Sequence, residues 1–159
     1  MRPRTAPVPA GIDTRGHSRF RSQRLRKSVM GASTTIQRRL EWIDTDAAGI
    51  WHYSTVIRYA EAAEAILHRE LGIVEFTFGA LPRVHVEFDF VRPVFFDEVV
   101  CITLTVGEVG DSSLTYHVEL SVDGQQVTTG KVVAVLIDRQ TEQATTWPED
   151  IRAKLAGTW

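Results

Sequence analysis

A single cysteine, Cys101, stands in the whole chain. No internal disulfide can form, and a reducing, cytoplasmic setting is expected. Cys101 lies in an apolar run and reads as buried filler rather than as a nucleophile. No apolar stretch approaches the roughly 20 residues that cross a bilayer, so no membrane partner is expected. A secretory leader would need an apolar segment of about 7 to 15 residues near the start, and none is there. The five histidines, at positions 17, 52, 68, 85 and 117, show no metal-ligand spacing. Neither a metal nor an organic cofactor is expected. Glycine motifs that cradle phosphate are absent, as is the Gly-x-Ser-x-Gly elbow of serine hydrolases. Any chemistry falls to carboxylates and backbone.

What is present fits one domain: 159 residues, 43% hydrophobic and 24% charged, enough to bury a core. The net charge of −2 hides an asymmetry, because residues 1–29 carry +7 and the remainder −9. An acidic body cannot neutralise phosphates, so nucleic acid is not an expected partner. Residues 1–29 lack apolar periodicity and are rich in Pro, Gly and Arg. They are expected to form a disordered, dispensable basic tail, with the natural start at Met30 and one domain over 30–159.

Beyond Met30 the patterning is regular. Residues 33–43, "STTIQRRLEWI", set Ile36, Leu40 and Trp42 against polar neighbours and predict a strand. Residues 53–71 place Val56, Tyr59, Ala60, Ala63, Ile66, Leu67 and Leu71 at helical spacing. Ser54 or Thr55 is expected to cap this helix and Gly72 to end it. Its run of alanines suits close packing on a curved sheet. Four strands follow: "RVHVEFDFV", "EVVCITLTVGEV", "SLTYHVELSV" and "QVTTGKVVAVLID", with a tight Asp123-Gly124 hairpin between the last two. Pro148 opens a short C-terminal helix carrying Ile151 and Leu155. The order predicts an α+β fold in which one long helix lies on a mostly antiparallel five-stranded sheet.

The segment joining the first strand to the helix reads "DTDAAGIWH", residues 44–52. Gly49 lets the backbone turn, and the first N–H groups of the helix are unpaired donors backed by its dipole. Such donors can stabilise an oxyanion, and an acid just upstream can act on water or as a nucleophile. Asp46 and a carbonyl polarised at the helix tip are the minimum apparatus for acyl-group hydrolysis.

"DTDAAGIWHYSTVIRYAEAAEAIL", followed by an antiparallel sheet, resembles the hotdog-fold acyl-CoA thioesterases of the 4-hydroxybenzoyl-CoA thioesterase family. "VHVEFDFVRPVFFDEVVCITLTV" and "GKVVAVLID" resemble further strands of that family, so the likeness covers about residues 34–150. It implies a hotdog fold, in which the sheet wraps a central helix, and a homodimer or homotetramer with the thioester at the subunit interface. The implied substrate is an acyl-CoA, cleaved to acid and CoA without a cofactor. Carried over by position, Asp46 is the catalytic carboxylate and the Tyr53 N–H holds the thioester oxygen. Gly49, His52 and Glu61 fall among the substrate-binding positions. Several family members have Asn or His in place of Tyr53, and His52 lies one residue early for the His variant.

Each of these residues has a structural reading too. Asp44 is expected to brace the loop through an Asx turn. Glu61 and Glu64 are expected to face solvent or to pair with Arg58 and His68 along the helix. His52 is a loop histidine by default, His85 and His117 face away from the apolar side of their strands, and Phe88, Phe90, Phe95 and Phe96 read mainly as core. Arg83, Arg92 and Lys131 could form a basic rim for the CoA phosphates. Two alternatives to an acyl-CoA hydrolase stand: a thioesterase acting on acyl carrier protein, and a non-catalytic hotdog module that only binds acyl thioesters.

Overall fold

The computed structural model describes residues 31–158; the basic segment 1–29 lies outside the described residues. Five strands form one sheet: β1 (Ser33–Arg39), β2 (Arg83–Phe90), β3 (Val99–Val109), β4 (Ser113–Val122) and β5 (Gln125–Val135). Their spatial order is β1-β3-β4-β5-β2, and every neighbouring pair is antiparallel. Only β3, β4 and β5 are joined by consecutive hairpins. The Asp123-Gly124 turn between β4 and β5 has φ of 51° and 75°, the left-handed pair that tight hairpins require. β1 and β2 enter at opposite edges because the helix that separates them in sequence carries the chain across the sheet.

That helix, α1 (Tyr53–Glu70), buries Thr55, Val56, Tyr59, Ala60, Ala63 and Leu67, a stripe at three- and four-residue spacing. Opposite it, β3 turns Val100, Ile102, Leu104 and Val106 inward, and β4 turns Leu114, Tyr116, Val118 and Leu120. Each fully buried Leu or Ile contributes roughly 1.5–3 kcal/mol through water exclusion. The chain passes Gly72, at φ 63°, into a short helix α2 (Val74–Thr77), and ends in α3 (Glu149–Ala156), which buries Ile151 and Leu155. The α+β hotdog arrangement expected from the sequence is the one observed.

Several local expectations change. β1 stops at Arg39, and Trp42–Asp44 form a 3-10 turn that leaves Trp42 73% exposed. Cys101 is half-buried, since it alternates onto the face of β3 away from α1. Phe90, Phe95 and Phe96 are exposed rather than core, because β2 is an edge strand and the other two sit on the loop that follows it. Phe88 is partly buried and lies against Gly130 of β5.

Glu64 and His68 differ most from the solvent-facing pair expected. Both are buried, because α1 turns them toward the start of β2 and toward β4. Glu64 is ion-paired with Arg83 at the head of β2, and the contact with His68 one turn along its own helix is also present. His68 Nε2 lies 2.8 Å from the Tyr116 hydroxyl and 4.0 Å from Glu64, and His68 Nδ1 lies 2.9 Å from the Thr77 hydroxyl. Thr77 gives its proton to Ile73 O, so His68 Nδ1 donates to Thr77 and Nε2 accepts from Tyr116. Protonating His68 would reverse that last bond, with the Tyr116 hydroxyl turning to accept. Burial, with help from the Arg83 charge, lowers the His68 pKa to about 4. Burial also raises the Glu64 carboxyl above its ordinary value, against the pull of Arg83.

Two measurements check this architecture. A Cβ at Gly130 would collide with the Phe88 ring and approach Glu87 O to 2.5 Å, so Gly130→Ala is expected to cost about 1–3 kcal/mol. A melting temperature within a degree of wild type would show that the ring moves aside freely. His68 accepts a proton at about pH 4 when folded and at 6.5 when free; the unfolded chain therefore binds more protons between these values, and stability falls as pH drops through that window. Glu64 has the opposite linkage, its contribution fading as pH rises above 4.5 toward its raised value. Replacing His68 with Asn should flatten the acid-side fall in melting temperature from pH 6.5 to 4, whereas Glu64→Gln should steepen it; unchanged slopes in both would contradict this account.

Candidate active site

The segment after β1 folds back on itself before α1 begins. Thr45 and Trp51 pair as an antiparallel bridge, Asp46 N donates to Ile50 O at 2.8 Å, and Gly49 N donates to Asp46 O at 3.0 Å. Gly49 makes the reversal at φ 76°, a conformation that costs glycine nothing. The Asp46 carboxylate accepts from Ala48 N at 2.7 Å, so the Asx turn expected at Asp44 sits two residues later. A second bridge joins Ile50 to Phe95, and Trp51 N donates to Val94 O at 2.9 Å, which ties the turn to the loop after β2. The Trp51 and Phe90 rings meet edge-on at 6.1 Å.

Asp44 is the buried acid of the pair, 5% exposed. Its Oδ1 accepts from Arg58 Nη2 at 2.8 Å, and its Oδ2 from the Tyr59 hydroxyl and Glu41 N, each at 3.0 Å. Its carbonyl accepts from His52 N at 2.8 Å and the Thr55 hydroxyl at 2.9 Å. Arg58 thus turns back to Asp44, away from Glu61. Burial, and the carboxylate beside it, push the Tyr59 phenol well above its ordinary pKa, which keeps it a donor.

His52, not Ser54 or Thr55, caps α1. Its Nδ1 accepts from Ser54 N at 3.3 Å, and Thr55 N donates to His52 O at 2.9 Å. Among the described residues the first N–H of the helix, that of Tyr53, meets no acceptor. It is the exposed positive end of an 18-residue helix dipole.

A cavity of about 480 Å³ opens at this helix tip. Asp46, Ile50, Trp51, His52 and Tyr53 form one wall, and Phe90, Val91, Arg92 and Pro93 the other. Asp44 is not on its surface. Four of the five expected site residues, Asp46, Gly49, His52 and Tyr53, are brought together within this turn. Glu61 is not among them: two turns further along α1, it lines a separate cavity of about 570 Å³ with Glu64, His68, Phe78 and Arg83. Of the expected basic rim only Arg92 reaches the helix-tip cavity; Arg83 is committed to Glu64 and Lys131 to Glu87. Sequence reasoning passed over the tie of Arg58 and Tyr59 to Asp44, since no local spacing links either to an acid 14 or 15 residues upstream.

The arrangement can bind a polarised carbonyl at the Tyr53 N–H and act on it with the Asp46 carboxylate. Residues 40–155 match the family model described as the thioesterase-like superfamily. A 1,4-dihydroxy-2-naphthoyl-CoA hydrolase of Rippkaea orientalis is 33% identical over 124 residues, covering 72% of this chain and 89% of that protein. Among solved structures, a 1,4-dihydroxy-2-naphthoyl-CoA thioesterase from Synechocystis superposes with a TM-score of 0.68 at 19% identity, covering 77% of this chain and 95% of the other. A mutant 4-hydroxybenzoyl-CoA thioesterase complexed with 4-hydroxybenzoyl-CoA superposes at 0.70 with 23% identity, covering 78% and 99%. The chain belongs to the thioesterase-like superfamily: it is a thioesterase of the hotdog fold.

Proposed function

We propose that the protein hydrolyses acyl-CoA thioesters to the free acid and CoA, with Asp46 as the reacting carboxylate. The observation that carries this reading is the pairing, on one cavity, of a carboxylate that is not buried with a helix N–H that has no acceptor. The thioester oxygen sits on the Tyr53 N–H, where charge develops as the carbonyl carbon becomes tetrahedral. Asp46 takes a proton from water, whose oxygen bonds to that carbon; the C–S bond then breaks, and the CoA sulfur leaves as a thiolate that is reprotonated. In the nucleophilic variant, an Asp46 oxygen bonds to the carbon first, the C–S bond breaks with the CoA sulfur leaving as a thiolate that is reprotonated, and water cleaves the resulting anhydride to the free acid and the Asp46 carboxylate. His52 and Gly49 shape the turn that presents these groups. The curated relatives are hydrolases of 1,4-dihydroxy-2-naphthoyl-CoA, which makes aromatic acyl-CoAs the first substrates to test. A module that merely binds thioesters has no use for a carboxylate at the carbonyl, and this favours the enzyme over the binder.

The same reading includes a second copy of the chain. β2 is a sheet edge, and Val84, Val86, Phe90 and Val91 on and beside it are exposed, an apolar, unpaired edge of the kind that soluble proteins normally cover. Two copies meeting antiparallel at this edge set the Arg83 end of one β2 beside the Phe90 end of the other. The Glu61 wall of one protomer then comes alongside the Asp46 cavity of its partner, where Glu61 meets the acyl group.

Thiol release from a panel of acyl-CoAs and an acyl carrier protein thioester tests the chemistry. Asp46→Asn is expected to lower kcat by about 100-fold or more; unchanged turnover would remove Asp46 from the reaction, and no release from any thioester would favour a binding module. For the assembly, Val86→Lys at the β2 edge should convert the dimer or tetramer to monomers by light scattering and abolish hydrolysis together with it. A fully active monomer would refute the shared site.

A further inference from the structure

The Asp44 cluster lies behind the cavity, and its chemistry is not used in the reaction just described. We infer that Arg58 and Tyr59 are positioning residues for hydrolysis: through Asp44 they fix the separation between the Asp46 carboxylate and the Tyr53 N–H. This inference rests on the reading of those two groups given above.

The argument follows the chain. Asp46 lies two residues beyond Asp44, and Tyr53 lies one residue beyond His52. His52 N is bonded to Asp44 O at 2.8 Å, so the two arms that carry the reacting groups spring from a single junction. Between them the chain has the Asp46–Gly49 turn and the Thr45–Trp51 bridge, tied to the loop after β2 through the Ile50–Phe95 bridge and the Trp51 N–Val94 O bond, and the carboxylate itself is steadied within its arm by a bond from Ala48 N. The junction is held to α1 from the other side. Arg58 Nη2 bonds both Asp44 Oδ1 and the Thr55 hydroxyl, each at 2.8 Å, and Thr55 in turn donates to Asp44 O. The Tyr59 hydroxyl bonds Asp44 Oδ2 at 3.0 Å and lies 3.3 Å from Arg39 O, at the end of β1. One carboxylate therefore joins the end of β1, the turn and the first two turns of α1.

Arg58 is a partly exposed side chain, and its ion pair reaches a carboxylate only 7% exposed. A partner of this kind limits the angle at which the loop meets the helix. Reactions between fixed groups are sensitive to small displacements: a shift of about 1 Å can cost roughly 100-fold in rate. Neither Arg58 nor Tyr59 lines the helix-tip cavity, so loss of either should leave substrate binding in place and slow the chemical step.

The experiment compares Arg58→Ala, Arg58→Lys and Tyr59→Phe with wild type and Asp46→Asn, recording kcat, KM and melting temperature for one acyl-CoA and for the matching acyl-pantetheine. Arg58→Ala and Tyr59→Phe are expected to lower kcat about 10-fold or more, with KM within about twofold and with a folded, cooperative melt. Arg58→Lys is expected to recover much of the loss, because a single nitrogen, Nη2, makes both of the bonds at issue. If Asp46→Asn is inactive while Arg58→Ala and Tyr59→Phe keep kcat within twofold, the positioning role is wrong and the reading of the site stands. If Asp46→Asn is fully active, that reading fails first. A raised KM for the acyl-CoA but not for acyl-pantetheine, with kcat intact, would make Arg58 a contact for the CoA phosphates and overturn the inference. A Lys variant as slow as the Ala variant would overturn it too.

Discussion

Taking a carboxylate out of water costs several kcal/mol unless its oxygens are fully engaged, and the entrance of α1 is organised around that demand at Asp44. An arginine, a phenol and a backbone N–H supply its side-chain oxygens, and a backbone N–H and a threonine hydroxyl supply its carbonyl. The donors come from the 3-10 turn, the loop and α1. Satisfying one acid therefore fixes three segments at once. The second acid of the motif, Asp46, is left half-exposed on the cavity wall because its neighbour has taken the structural task.

A second buried polar cluster works at the other end of the same helix. Glu64, His68, Tyr116, Thr77 and Arg83 join α1 to β4, to α2 and to the head of β2. Its groups balance: a carboxylate against a guanidinium, and a neutral imidazole between two hydroxyls. A buried ion pair is weak support for stability in itself, but removing one partner strands the other. The helix is thus pinned by polar networks at two levels, while alanines and a leucine between them fill the contact with the sheet. The Glu61 cavity touches β2 at its Arg83 end and the helix-tip cavity at its Phe90 end.

The motif "DTDAAGIWH" was legible because its parts obey local rules. Glycine takes a positive φ, a helix leaves its first N–H groups unpaired, and a carboxylate upstream of them has few bland uses. Strand alternation and the Asp-Gly turn were legible for the same reason, since period and turn chemistry depend on neighbours in sequence. The division of labour between Asp44 and Asp46 was half legible: the structural role went to the right residue, but the Asx turn belongs to the other. The spacing of Glu64 and His68 showed that they meet along the helix but not that both are buried, because helical spacing shows which residues share a face, not which strand covers that face. Phe90, Phe95 and Phe96 read as core because aromatic residues usually are; their exposure follows from β2 being an edge.

The sequence by itself determined the elements, the turn that carries Asp46, the helix whose tip faces it and the family to which these belong, because each rests on contacts within a few residues. Only the tertiary structure decided the strand order, which acid is buried, the reach of Arg58 and Tyr59 back to Asp44, and the placing of Glu61 outside the helix-tip cavity. Those features depend on groups brought together from 14 to 72 positions apart, and their energies come from desolvation and from hydrogen bonds that exist only once the sheet has closed over the helix.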